Sequence, residues 1–224
     1  MKKTVLYLSF YLFFSLSLSA QSKNKQRFTK EKIEMDSLGI PFNGMQCYFP
    51  ISMFVTTGGR NLKLSQYLNR WYSGMLFSMK EPILYQTVSK KEVYRFTWLR
   101  RFRNPVAVRI EKDKDKIYLY VKTTDGAGGS YPGKLIKNEV KELDSEQWNS
   151  FMEKLSRFNF WKQPVEEVKE LDGENSEWIL EGSTFFSYHF VTRTSPLQIN
   201  QKSFRECCLF LLTLAGIENS DVKK

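Results

Sequence analysis

The chain has 224 residues, with 34 Lys and Arg against 24 Asp and Glu, one His and three Cys, and a formal net charge of +10. That length suits one domain with a sizeable core once an N-terminal leader is set aside. With one histidine, a histidine-rich metal site is excluded; a zinc site at His189 would need its other ligands from cysteine and carboxylate, and a hydrolase triad would need His189 as its base.

The first stretch carries Lys2 and Lys3, then an apolar and small-residue run from Thr4 to Ala20, then charge from Lys23. This is the pattern of a bacterial export signal. An apolar helix of about 17 residues spans about 25 Å, long for an export signal and short for a membrane span. The run ends in Ser17, Leu18, Ser19 and Ala20, which suits cleavage near Ala20; a retained anchor is the alternative. A lipid anchor would need a cysteine at that point, and the first is Cys47. The expected organisation is a signal peptide over 1–20, a basic arm over 21–35, one domain over 36–217 and a polar tail over 218–224. The expected location is the periplasm or outside the cell.

Further along, Ser65 to Met79 reads as a helix, with Leu68, Trp71, Tyr72, Met75 and Met79 at helical spacing, although Gly74 weakens it. Val93 to Leu99 alternates as a strand, with Tyr94, Phe96 and Trp98 opposing Val93, Arg95, Thr97 and Leu99. A dense basic patch follows, Arg100, Arg101 and Arg103 around Phe102, and is a candidate anion-binding surface. The plainer reading is a generally basic protein surface. Val106 to Ile110 and Ile117 to Val121 are strands flanking the charged turn Glu111 to Lys116.

Asp125 to Gly133 is a glycine-rich loop, and Lys134 to Leu143 is another strand. Gly128 to Lys134 matches the opening of a phosphate-binding loop. Leu135 stands where that loop needs Ser or Thr, and no helix follows. Pro132 also removes a backbone donor, so a turn between strands is expected. Asp144 and Gln147 form a capping box, and Trp148, Phe151, Met152 and Leu155 then share one apolar face. Trp148 should be buried against the sheet.

The carboxylates from Glu166 to Glu181 do not fit a calcium loop and read as a solvated loop. Glu177 to Arg193 reads as a hairpin about a turn at Gly182, Ser183 and Thr184. That register sets Trp178, Leu180, Phe186, Tyr188 and Phe190 on a core face. Glu177, Glu181, Ser187, His189 and Arg193 fall on a polar face, the other candidate site. Glu177 would oppose His189 and raise its pKa. Ser203 to Glu206 reads as a second capping box. Phe204, Cys207, Cys208, Leu211, Leu214 and Ala215 form the helix it opens, and Gly216 ends it. Trp98, Trp148, Trp161 and Trp178 are expected in the core. Cys207 and Cys208 are too close for an unstrained disulfide, so Cys47 pairs with one of them or all three are buried thiols.

Several strings are distinctive together: Trp71-Tyr72-Ser73, Lys80-Glu81-Pro82, Tyr94 to Arg100, Asp125 to Gly129, Pro132 to Ile136, Phe160-Trp161, Glu177 to Gly182, Tyr188-His189 and the Cys207-Cys208 helix. Across 71–217 the chain resembles a family of uncharacterised exported bacterial proteins. The resemblance implies a folded exported domain and carries over no activity and no site. The residues together suggest an α+β fold, a mainly antiparallel sheet of about five to six strands with two capped helices packed on one face. The expected function is a non-enzymatic binding or interaction protein of the cell envelope. An envelope hydrolase and an inhibitor or immunity-type protein are the alternatives. No cofactor, metal or nucleic acid is expected. The partner would be an envelope protein or an anionic ligand, and the membrane would be met only through the signal segment or surface charge.

Overall fold

A computed structural model describes residues 33–55, 62–85, 90–166, 176–196 and 201–217. The signal segment, most of the basic arm, residues 167–175 of the acidic stretch and the tail lie outside the described residues. The chain divides into two units, Met1–Lys32 and Ile33–Lys224, and every described residue belongs to the second.

Alternating β-branched and aromatic runs build β1 (Glu92–Arg100), β2 (Val106–Asp113) and β3 (Lys116–Thr124), followed by β4 (Leu135–Leu143), β5 (Ser176–Ser183) and β6 (Tyr188–Thr194). They form one six-stranded sheet in the order β4-β3-β2-β1-β5-β6. Every neighbouring pair is antiparallel. The charged turn between β2 and β3 is made by Lys114 and Asp115, with Lys114 at φ 56.

On one face Tyr94, Phe96 and Trp98 of β1 meet Val108 and Ile110 of β2, Leu119 and Val121 of β3, and Trp178 and Leu180 of β5. Helices α3 (Ser145–Phe158) and α4 (Lys202–Leu214) close this core, with Trp148 and Phe151 from one and Phe204, Cys207 and Leu211 from the other. The α+β expectation and its helix-covered face therefore hold. Asp144 caps α3 as a full capping box: its side chain accepts from Gln147 N at 2.8 Å, and Gln147 Oε1 accepts from Asp144 N at 3.1 Å. The second box does not form. Helix α4 starts at Lys202, which places Ser203 inside the first turn, and Gln201 occupies the cap without a side-chain bond.

The opposite face is covered too. Leu99, Ala107, Ile179 and Phe190 pack under α2 (Leu62–Ser78), with Leu68, Tyr72, Met75 and Leu76 as its buried stripe. The short helix α1 (Ile51–Val55) and Tyr48, Phe49, Met79 and Ile83 complete that layer. Phe49, Phe54, Tyr72 and Phe190 make an aromatic cluster with ring centroids 5.0–6.4 Å apart.

The hairpin forms, but its register differs from the sequence expectation. Gly182 is a strand residue: a Cβ there would sit 2.7 Å from the Phe160 ring and 2.9 Å from Tyr94, so only glycine lets β5 lie this close. The turn moves to Thr184–Ser187, where Thr184 N donates to Ser187 O at 2.8 Å and Thr184 Oγ1 accepts from Ser187 N at 3.2 Å. Glu177 pairs with Thr194, Gly182 with His189 and Ser183 with Tyr188. The slip is odd, so it turns β6 over. Phe186 is 89% exposed at the tip, and Tyr188 and Phe190 join the α2 side. Trp98, Trp148 and Trp178 are core residues as expected, whereas Trp161 is 38% exposed.

Candidate functional site

The basic patch lies on the turn between β1 and β2, and the glycine-rich loop holds it there. Gly128 N donates to Arg103 O at 3.0 Å and Gly129 N donates to Arg101 O at 3.2 Å. A Cβ on Gly128 would fall 2.6 Å from Arg100 N, so backbone meets backbone only because the side chain is missing. Trp71 Nε1 donates to Gly128 O at 2.8 Å and ties the loop to α2. Asp125 closes the loop by accepting from Lys134 N at 2.7 Å, and Gly133 turns the chain at φ 72. These loop amides are spent on the turn, so the loop is a scaffold for the arginines, with no phosphate cradle of its own.

A shallow open cleft of about 440 Å³ runs beside that turn. Its cations are Arg100, Arg103 and Lys137, and its apolar lining is Phe102, Val106 and Ile217. Asn104 and Thr123 add neutral polar groups. Arg100 is held in place by donating to Asn104 O at 2.8 Å from Nη2 and by lying 4.4 Å from the Trp98 ring centroid. Arg101 does not line the cleft; it sits over the Phe102 ring at 5.0 Å. Lys137 arrives from β4 because it pairs with Thr123 of β3. It also lies 3.2 Å from Glu139. The cleft can therefore take an anionic group near its three cations and an apolar group against Phe102 and Ile217.

A second concentration of charge lies buried on the α2 side of the sheet. Arg95, in the middle of β1, has its Nη2 2.6 Å from Glu181 Oε2 and donates from Nη1 to Pro82 O at 2.7 Å. Glu81 receives Arg109 Nε at 2.9 Å, Arg95 Nη1 at 3.3 Å and Lys122 Nζ at 3.0 Å. Arg109 also pairs with Glu111, and Glu111 with Lys91 at the rim. The partners go on to hold the 80–84 segment. Lys122 donates to Lys80 O, Tyr48 OH to Glu81 O at 2.8 Å, and Ser183 Oγ to Leu84 O at 3.1 Å. Side-chain exposure is 0% at Arg95 and Glu181 and 1% at Glu81, so no substrate reaches the centre. Burial alone would raise the Glu81 pKa, but Arg109, Lys122 and Arg95 hold it down at about 2. At Glu181 burial outweighs Arg95, and its pKa is raised. This network straps the chain onto the sheet; it is not a reaction centre.

No protein-family model, no curated protein and no solved structure matches the chain.

The polar face expected on the hairpin does not assemble, because the register slip separates its members. Glu181 lies in the buried network, accepting from Tyr188 OH at 3.0 Å. Glu177 accepts from Thr194 Oγ1 at 2.8 Å and Tyr72 OH at 3.3 Å. Ser187 is in the turn. His189 and Arg193 fall on the opposite face, beside Phe160 and Phe204 respectively. His189 Nε2 is 3.0 Å from Gln163 O, so the neutral ring carries its proton there. Burial lowers the His189 pKa, Arg193 lowers it further, and the Gln163 carbonyl only partly offsets them.

The folded state thus favours neutral imidazole. Its contribution to stability is present above the unfolded pKa and lost as pH falls through that value toward the lowered folded one. The single imidazole NMR signal should titrate below 6.5, and Glu177→Gln should leave the midpoint where it is. A midpoint above 6.5 that Glu177→Gln brings down would restore the discarded register.

Cys207 and Cys208 are free, buried thiols, so neither is bridged to Cys47. Burial pushes the Cys207 thiol up to about 12 and Cys208 well above its ordinary value, so neither is a nucleophile at neutral pH. Among the described residues no three metal-binding side chains gather, and no helix is long and apolar enough to cross a membrane.

Proposed function

We propose that the chain is a non-enzymatic binding protein of the bacterial cell envelope that takes an anionic, partly apolar ligand in the cleft beside the β1–β2 turn. The observation that carries this reading is the meeting of Arg100, Arg103 and Lys137 with Phe102, Val106 and Ile217 around one cavity of about 440 Å³. Export rests on the leader pattern of Met1 to Ala20 alone. Binding is preferred to hydrolysis because Glu81, whose titration is displaced by its cations, and Glu181, Tyr188 and Cys208, whose titration is displaced by burial, lie away from the cleft lining.

Octyl phosphate below its micelle concentration is a suitable probe, since it carries one anionic head and one short apolar tail. Calorimetry should find saturable binding that weakens with salt. Losing one cation contact should weaken it about tenfold in Arg103→Ala and in Lys137→Ala. Equal affinity in wild type and both variants, or no heat at all, would remove the cleft as the site.

A further inference from the structure

We propose that β4 is a self-complementary sheet edge through which two copies of this chain pair antiparallel. The two ends of the sheet are treated differently. The β6 edge is covered by the chain itself: Thr192 N donates to Val165 O at 2.6 Å, and Glu166 bridges to Thr192 in parallel. At the other end, among the described residues, no strand pairs with the outer side of β4. Val140, in the middle of that strand, is 55% exposed.

Charges on an edge strand commonly guard it against pairing. Here their order makes the guard complementary to itself. A two-fold axis perpendicular to the sheet keeps each face on its own side, so only residues sharing a face can oppose one another. The bulge between Thr123 and Thr124 leaves Lys137 to Leu143 as the regular stretch of β4. Centred on Val140, this stretch sets Glu139 opposite Lys141 twice, Asn138 opposite Glu142 twice and Val140 opposite Val140. Centred on Glu139, it would oppose Lys137 with Lys141. Centred on Asn138, it would need Ile136, which sits at the bulge. The Val140 register alone uses the regular stretch throughout without a like-charge pair.

The test is sedimentation of the full chain in four forms: wild type, Glu139→Lys, Lys141→Glu, and the two combined. Both positions are on the exposed edge, so all four should fold alike. Wild type should sediment as a dimer. Each single reversal makes two repelling pairs and should weaken association roughly tenfold or more. The double reversal rebuilds both pairs and should restore the dimer. A monomeric wild type, single variants that associate like wild type, or a double variant that stays dissociated would each overturn the proposal. In the Asn138-centred register Lys141→Glu has no effect and the double variant stays weak, so that pattern also counts against it.

Discussion

Glu81→Ala should destabilise the fold by about 3–5 kcal/mol, because it leaves buried cations without their shared partner. Three positive side chains, Arg95, Arg109 and Lys122, converge on this one carboxylate, which is 1% exposed. A water in its place would supply no negative charge to balance the cations, and Arg95 and Lys122 also hold the backbone of the 80–84 segment. The loss should appear in urea melts at pH 7 as a lower midpoint. A change under about 1 kcal/mol would mean that the cations are solvated and the strap is not electrostatic.

The same residue gives the fold an acid limb. The Glu81 pKa stands at about 2 in the fold against an ordinary 4.5. Its stabilisation is therefore complete above the unfolded value and is lost as pH falls from about 5 through the folded value. The gap corresponds to about 3 kcal/mol. Glu181 works in the opposite sense, since its pKa is raised, and so softens the limb. Stability measured from pH 7 down to pH 2 should fall more steeply in wild type than in Glu81→Gln. Parallel curves would contradict the assignment.

The second large effect belongs to Trp178→Ala, at about 3–5 kcal/mol. The indole is 2% exposed, with ring centroids 5.0 Å from Phe96, 5.6 Å from Trp98 and 6.5 Å from Phe204. It joins β1, β5 and α4, and neighbours of that size cannot collapse into the space it leaves. Trp161→Ala is the control, because Trp161 is already 38% exposed and should lose much less. Equal melting points for the two variants would mean that the core on the α3–α4 side is not centred on Trp178.

What could be read from residues alone divides along physical lines. Period-two alternation in Val93 to Leu99 assigned both faces of β1 correctly, since steric alternation is a local property. The Asp144–Gln147 box was legible for the same reason. Gly182 was misread because glycine serves both turns and close packing, and the sequence does not show that Phe160 and Tyr94 crowd it. That one position displaced the turn and scattered Glu177, Glu181, Ser187, His189 and Arg193.

Arg95 stood in plain view among Val93, Thr97 and Leu99. Its burial follows from a second layer of chain over the α2 side, which periodicity in a single strand does not reveal. Arg100 and Arg103 could be found as a cluster. Lys137 could not, because only the β3–β4 register brings it beside Thr123. Gly128 looked like part of a phosphate loop, and its real use, backbone contact with Arg100, needs a neighbour far away in sequence.

The most direct test of the binding account is an NMR titration of the folded protein with octyl phosphate, following backbone amides. The expected result is a saturable set of shifts at Phe102, Arg103, Lys137 and Ile217, absent in the combined Arg103→Ala and Lys137→Ala variant. Shifts confined to other surfaces, or shifts at these residues that persist unchanged in that variant, would contradict it.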